Sequence, residues 1–166
     1  MKKRIVLAGG CFWGVEAYYQ RLKGIIKTEV GYANGNIENP TYEQVCSGEA
    51  THAEVVSVVY DNSLISLEKV LEHFFRMIDP YSLNKQGNDV GIQYRSGVYY
   101  ENDEDHEVVK SFIANKQKDT NKKIVVEVLK LQNYYLAENY HQDYLIKNPT
   151  GYCHIDLSLI RPEELK

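Results

Sequence analysis

Apolar positions along the chain change period several times, and each change predicts an element. Residues 4–8 form a short, mostly apolar run that stops at Gly9-Gly10, which predicts a buried strand. From 12 to 22 the residues Phe12, Val15, Tyr18, Tyr19 and Leu22 recur at helical spacing, with Gly24 as a C-terminal stop. Residues 25–32 predict a second strand. The stretch 33–51 is rich in Asn, Gly, Pro and Ser and predicts a loop, with a helical turn over 42–46. Val-rich residues 53–60 predict a strand. Ser66 is placed to cap a helix whose inner face is Leu67, Val70, Leu71, Phe74, Phe75 and Ile78, with Pro80 just past its end. A polar loop over 83–93 leads to a strand over 94–100. Asp103 is read as the cap of a helix that turns Val108, Val109, Phe112 and Ile113 inward. A strand over 124–131 and a helix over 139–146 follow. From Lys147 on, Pro149, Gly151 and Pro162 predict a mostly irregular tail.

Helices and strands alternate, yet some strands follow one another with only a loop between. That pattern predicts an α+β fold, a two-layer α/β sandwich with helices on an antiparallel or mixed sheet. Strand order is not encoded in the pattern. No repeat, linker or low-complexity segment divides the chain, so a single domain over 1–166 is expected. At 166 residues it is long enough to enclose a core without disulfides or a structural metal.

Composition narrows the function classes. A net charge of -4 without a Lys/Arg cluster argues against nucleic acid as a partner. No apolar run approaches the length of a membrane span. The basic start and the following residues 5–8 are too short for a signal peptide, and a cytoplasmic protein is expected. The 3 cysteines, Cys11, Cys46 and Cys153, are odd in number and widely spaced, unlike a secreted disulfide framework. The 5 histidines show no paired ligand spacing with them, so neither metal nor organic cofactor is expected; His141 and His154 are read as solvated or hydrogen-bonded. Tyrosine is the outlier, with 14 copies, and its ring-plus-hydroxyl suits either a core edge or a pocket for a small polar group.

Candidate chemistry concentrates at Gly9-Gly10-Cys11-Phe12-Trp13-Gly14, between the first strand and first helix. Three readings compete for this segment. A phosphate loop requires Lys and Ser/Thr after the last glycine, where this chain has Val15 and Glu16. A buried, inert cysteine is the commoner fate of a lone Cys. A reactive thiol fits the context better: a helix N-terminus favours thiolate through its dipole and free N–H groups, and Phe12-Trp13 supply an apolar wall for a weakly polar substrate.

The run Gly10-Cys11-Phe12-Trp13-Gly14-Val15-Glu16 resembles the signature of the A-type peptide methionine sulfoxide reductases. Further blocks extend the resemblance in order, from about residue 9 to 153. They are Asn39-Pro40-Thr41-Tyr42, Val45-Cys46-Ser47-Gly48, His52-Ala53-Glu54, Gln86-Gly87-Asn88-Asp89, Gln93-Tyr94-Arg95-Ser96, and Tyr140-His141-Gln142 through Lys147-Asn148-Pro149 to Gly151-Tyr152-Cys153.

The resemblance implies a ferredoxin-like roll and a set of roles. Cys11 attacks the sulfoxide sulfur, and Glu54 protonates the oxygen. Tyr42 and Tyr94 donate hydroxyls to that oxygen. Phe12 and Trp13 form the methyl pocket, and Asp89 supports by hydrogen bonding. The Cys11 sulfenic acid is resolved by Cys153, with Cys46 as the other candidate. Thioredoxin or a similar dithiol then reduces the disulfide. The implied substrate is methionine S-sulfoxide, free or in proteins, and a monomer is expected. Two rivals remain open on the residues alone: a thiol peroxidase or thiol–disulfide oxidoreductase, and a non-catalytic redox sensor or methionine-sulfoxide-binding module.

Overall fold

The computed structural model describes residues 1–166. Strand β1 (Lys2–Gly9) alternates in the strand period, sending Ile5 and Leu7 to one core and Val6 and Ala8 to another on the opposite face. Burial on both faces is why its sequence reads as a continuous apolar run. Helix α1 (Phe12–Gln20) follows directly, then β2 (Ile25–Ala33), α2 (Tyr42–Ser47) and β3 (Ala53–Asp61). Next come α3 (Leu67–Met77), a two-residue hairpin of β4 (Lys85–Gln86) and β5 (Asp89–Val90), β6 (Ser96–Tyr100) and α4 (Asp103–Lys118). The last elements are β7 (Glu127–Lys130), β8 (Tyr134–Leu136) and α5 (Tyr144–Lys147).

This is a mixed α/β fold. Its main sheet has the order β7-β6-β1-β3-β2-β8. All neighbours are antiparallel except β6 and β7, which run parallel. The larger core lies on the face that α1, α3 and α4 cover, through Val15, Tyr18, Phe74 and Val109 against Leu7, Val56 and Val98. The opposite face buries Val6, Ala8, Val55 and Tyr99 beneath Leu131 and Tyr134, from the end of β7 and the start of β8. No helix is long and apolar enough to cross a membrane.

Several expectations are corrected. Helix α1 ends at Gln20, with Arg21 as its C-cap, and Gly24 instead takes a positive φ of 89° at the turn into β2. Tyr94 is not in a strand; it ends a 3-10 turn, Ile92–Tyr94, ahead of β6. The cap of α4 is Asn102, whose side chain accepts from the Asp105 N–H, and Asp103 is the first helical residue. The predicted helix over 139–146 is broken at Asp143, where φ is 54°, into a 3-10 turn and the short α5.

The tail is irregular but not loose. Ile155 and Ile160 are buried in the main core. Near the chain end, Leu22 and Leu165 form an antiparallel bridge, and the Glu164 carboxylate accepts a bidentate pair from Arg76 at 2.8 and 3.0 Å. Lys69 adds a contact at 3.1 Å. A tail without repeating secondary structure still buries two isoleucines and a clamped carboxylate, which the pattern of Pro and Gly does not reveal.

Candidate active site

The turn from β1 into α1 is set by glycine. Gly10 has a φ of 87°, and a Cβ there would lie 2.7 Å from Gln86 Cβ. Cys11 follows as the N-cap of α1 and is buried. Strand β3 delivers the second group. Its antiparallel register with β1, Leu7 opposite Val56, carries Glu54 to the level where β1 ends and Cys11 begins. Glu54 is 1 % exposed, and its Oε1 accepts the Phe12 N–H at 3.2 Å. Its Oε2 is buried with no protein partner. Burial pushes the Glu54 carboxyl up to about 8, opposed by the Phe12 N–H and assisted by Asp89.

Cys11 behaves differently from the expectation for a helix N-terminus. The Trp13 backbone N–H does favour its thiolate, but burial outweighs that contact and holds the group as a thiol, and Glu54 pushes the same way once it ionises. A dipole at the first helical turn is a partial charge, whereas desolvation acts on the whole ion. The resting site therefore keeps its protons on both Cys11 and Glu54.

Tyr42 starts α2, which Thr41 caps in a reciprocal box with Gln44. Tyr42 and Tyr94 are both half-buried. Burial raises both phenols, with Glu54 contributing to each, so both hydroxyls stay protonated donors through the neutral range. Asp89, on the β4–β5 hairpin, accepts the Tyr152 hydroxyl at 2.9 Å. Asp89 also acts electrostatically on Cys11, Glu54 and Tyr94, which places it with them.

Phe12 is buried against Tyr32, while Trp13 is half-buried. The Trp13 indole stacks on Tyr144 at 3.7 Å between ring centroids and donates its N–H to His141 Nδ1 at 3.0 Å. His141 is itself buried among Phe12, Trp13, Tyr42 and Tyr140. Of the two readings, solvated or hydrogen-bonded, His141 takes the second. Accepting from the indole fixes its tautomer with the proton on Nε2. Glu138 ties the same region together, accepting the Tyr32 hydroxyl at 2.7 Å and the Tyr42 N–H at 2.9 Å.

Cys153 is half-buried, and its thiol donates to the Ile155 carbonyl at 3.3 Å. Its sulfur lies over the first turn of α1, 3.0 Å from where a Cβ on Gly14 would stand. Only glycine at 14 leaves that space. Cys46 is exposed on α2. All three cysteines are free thiols. The candidates thus gather about the start of α1, drawn from β3, α2, the β4–β5 hairpin, the turn before β6 and the tail, with Cys46 at the exposed edge beside Tyr42. The largest groove, about 410 Å³, lies elsewhere, between α3 and α4.

Tyr144, Glu138 and His141 were assigned no role from the sequence. His141 stands in the Tyr140-His141-Gln142 block, beside an unusual density of aromatic residues, and that was the one available signal.

Comparison with known proteins gives the family. A family model described as peptide methionine sulfoxide reductase matches residues 3–166. The peptide methionine sulfoxide reductase MsrA of Ureaplasma urealyticum serovar 10 is 55% identical over 159 residues, covering 96% of each chain. The crystal structure of Mxr1 from Saccharomyces cerevisiae in reduced form superposes with a TM-score of 0.84 at 39% identity, covering 92% of this chain and 88% of that one. Mxr1 in complex with Trx2 matches with a TM-score of 0.59 at 28% identity, over 86% of this chain and 84% of the other.

Proposed function

The chain belongs to the peptide methionine sulfoxide reductase family, an oxidoreductase family, and on that footing we propose how its own residues reduce methionine S-sulfoxide. The observation that carries the proposal is the buried Glu54 carboxyl, raised to about 8 and bonded to the Phe12 N–H beside Cys11. It is an acid that holds its proton at neutral pH next to a thiol.

The sulfoxide methyl lies against Phe12 and Trp13, and the oxygen faces Glu54. The Tyr42 and Tyr94 hydroxyls donate to that oxygen, in the manner of an oxyanion site, and Asp89 supports the substrate by hydrogen bonding. Cys11 sulfur attacks the substrate sulfur while Glu54 protonates the oxygen. The proton leaving Cys11 makes good the one that Glu54 gave. The hydroxyl then passes from the substrate sulfur to the Cys11 sulfur as the substrate S–O bond and the bond between the two sulfurs break, so methionine departs and Cys11 is left as a sulfenic acid. A fixed acid opposite a fixed methyl pocket accepts one sulfoxide hand. Cys153 then attacks the Cys11 sulfur, water leaves, and a Cys11–Cys153 disulfide closes. A dithiol reductant of the thioredoxin type restores both thiols by exchange. The complex of Mxr1 with Trx2 supports that partner. Substrates are free methionine S-sulfoxide and the same group in proteins, which makes the enzyme one of oxidative repair, working in the cytoplasm without a cofactor.

The test is a single turnover without reductant. Fully reduced protein mixed with methionine S-sulfoxide is expected to form about one methionine and lose about two thiols per chain. The R epimer serves as control and gives none. No methionine from either epimer sinks the proposal and directs attention to peroxide.

We also propose that the inner strands, β6-β1-β3-β2 with antiparallel neighbours, are a ferredoxin-like core within one domain over 1–166.

A further inference from the structure

The tail holds Cys153 by bonds on both sides of it. On one side the Tyr152 hydroxyl reaches Asp89. On the other, His154 Nε2 lies 3.0 Å from the Gly9 carbonyl. A carbonyl only accepts, so Nε2 carries the proton and His154 is the donor. Its Nδ1 is buried without a partner, and burial lowers its proton affinity, which agrees with a neutral ring. The neighbouring Gly10 makes room for that ring: a Cβ at 10 would stand 3.0 Å from His154 Nε2. The bond therefore joins the residue after Cys153 to the loop that ends in Cys11. Ile155, packed against Gly14, adds an apolar contact to the same turn.

Tyr152 touches Asp89, a group the proposed reaction already uses. His154 makes its one hydrogen bond to backbone, with its ring stacked 6.5 Å from that of Tyr152. From this we infer that His154 is a positioning residue for the resolving step, holding Cys153 over the first turn of α1 through the Gly9 carbonyl. The inference rests on the proposed roles of Cys11 and Cys153. The step it serves is balanced within the protein. Cys153 sulfur bonds to Cys11 sulfur, the S–O bond of the sulfenic acid breaks, and the oxygen leaves as water with the Cys153 proton. In this step the Cys153 sulfur is oxidised and the Cys11 sulfenic sulfur reduced, so no outside oxidant is needed; over the whole turnover two thiols are oxidised and one sulfoxide reduced. A donor that keeps the incoming sulfur near its target raises the rate of this closure and leaves the earlier attack on substrate alone.

The experiment follows one turnover by rapid quench, scoring methionine, free thiols and dimedone-trapped sulfenic acid at Cys11. It compares the unsubstituted protein with His154→Phe, which keeps a ring but no donor, and His154→Gln, which keeps a donor. The methionine burst counts folded sites, so rates are read per active site. For His154→Phe the burst is expected at the unsubstituted rate. Thiol loss is expected to slow about three- to tenfold, the loss due to one hydrogen bond, with the dimedone adduct accumulating. His154→Gln is expected to recover part of the closure rate. Thiol loss at the unsubstituted rate in His154→Phe overturns the inference. So does a burst slowed by the same factor as closure, which would make His154 a support of the whole site. If the unsubstituted protein itself gives methionine without losing two thiols, the Cys153 role fails first and the inference falls with it.

Discussion

Glu54 shows what burial does to one side chain. Its ordinary carboxyl value is 4.5, and in the folded chain it rises to about 8. Between those two values the unfolded chain has released its proton and the folded chain has not. The unfolded state then binds fewer protons, so stability falls as pH rises through that window. The contribution is fully present below about pH 4.5 and lost once pH passes about 8. Glu54→Gln removes this penalty with a neutral side chain of nearly the same shape. Thermal melts of both proteins between pH 4.5 and 8 are expected to diverge in the variant's favour, reaching on the order of a few kcal/mol at the upper end. The same variant is expected to slow the methionine burst by about 10²–10⁴-fold, the usual worth of a positioned acid. A stability gap that stays flat across that range would mean Glu54 ionises normally. The stabilising direction and the activity loss come from one cause, a carboxyl kept protonated where water is excluded.

At the scale of elements, α4 illustrates how a sequence can announce a helix and misplace its start. Asn102, Asp103 and Asp105 all suit a helix beginning, and only the structure separates cap from first turn. Asn102 Oδ1 accepts the Asp105 N–H at 2.8 Å. Asn102→Ala is expected to cost about 1 kcal/mol in denaturant unfolding, and Asp103→Ala a few tenths, from the helix dipole alone. Equal losses would contradict the assigned cap. Elements with a strong period, such as β1, β3 and α3, were legible because burial on a face leaves a direct trace in the sequence. Strand β8 was not: Tyr134–Leu136 is three residues long and exists by pairing with β2, far away in the chain. Tyr94 was read as strand because its apolar ring continues the pattern of β6. The site follows the same division. Cys11, Phe12 and Trp13 are adjacent in sequence and stood out unaided. Glu54, Tyr42, Tyr94 and Asp89 were chosen among many like residues only through family resemblance. His141 and Glu138 went unassigned because their partners, Trp13, Tyr32 and Tyr42, lie roughly a hundred residues earlier in the chain.

For the whole molecule, the two ends of the sequence meet at the site. Strand β1 lies inside the sheet, bonded to β3 and β6, and ends at the turn that carries Cys11. The tail returns across α1, with Cys153 against Gly14 and Glu164 clamped by Arg76. Closing Cys11–Cys153 would therefore cross-link nearly the full length of the chain. A cross-link spanning on the order of 100 residues removes enough unfolded-state entropy to add about 4–5 kcal/mol, less any native strain. The oxidised protein is accordingly expected to melt well above the reduced one, which calorimetry on the two forms would check; coincident melts would mean the closed form is strained by as much as the cross-link gains. A thermodynamic cycle runs the other way too. Whatever stability the disulfide lends the fold, the fold lends the disulfide, and for this two-electron couple each 1.4 kcal/mol lowers its reduction potential by about 30 mV. The placement of Cys153 over α1 would thus also set the driving force that a reductant of the proposed disulfide must overcome.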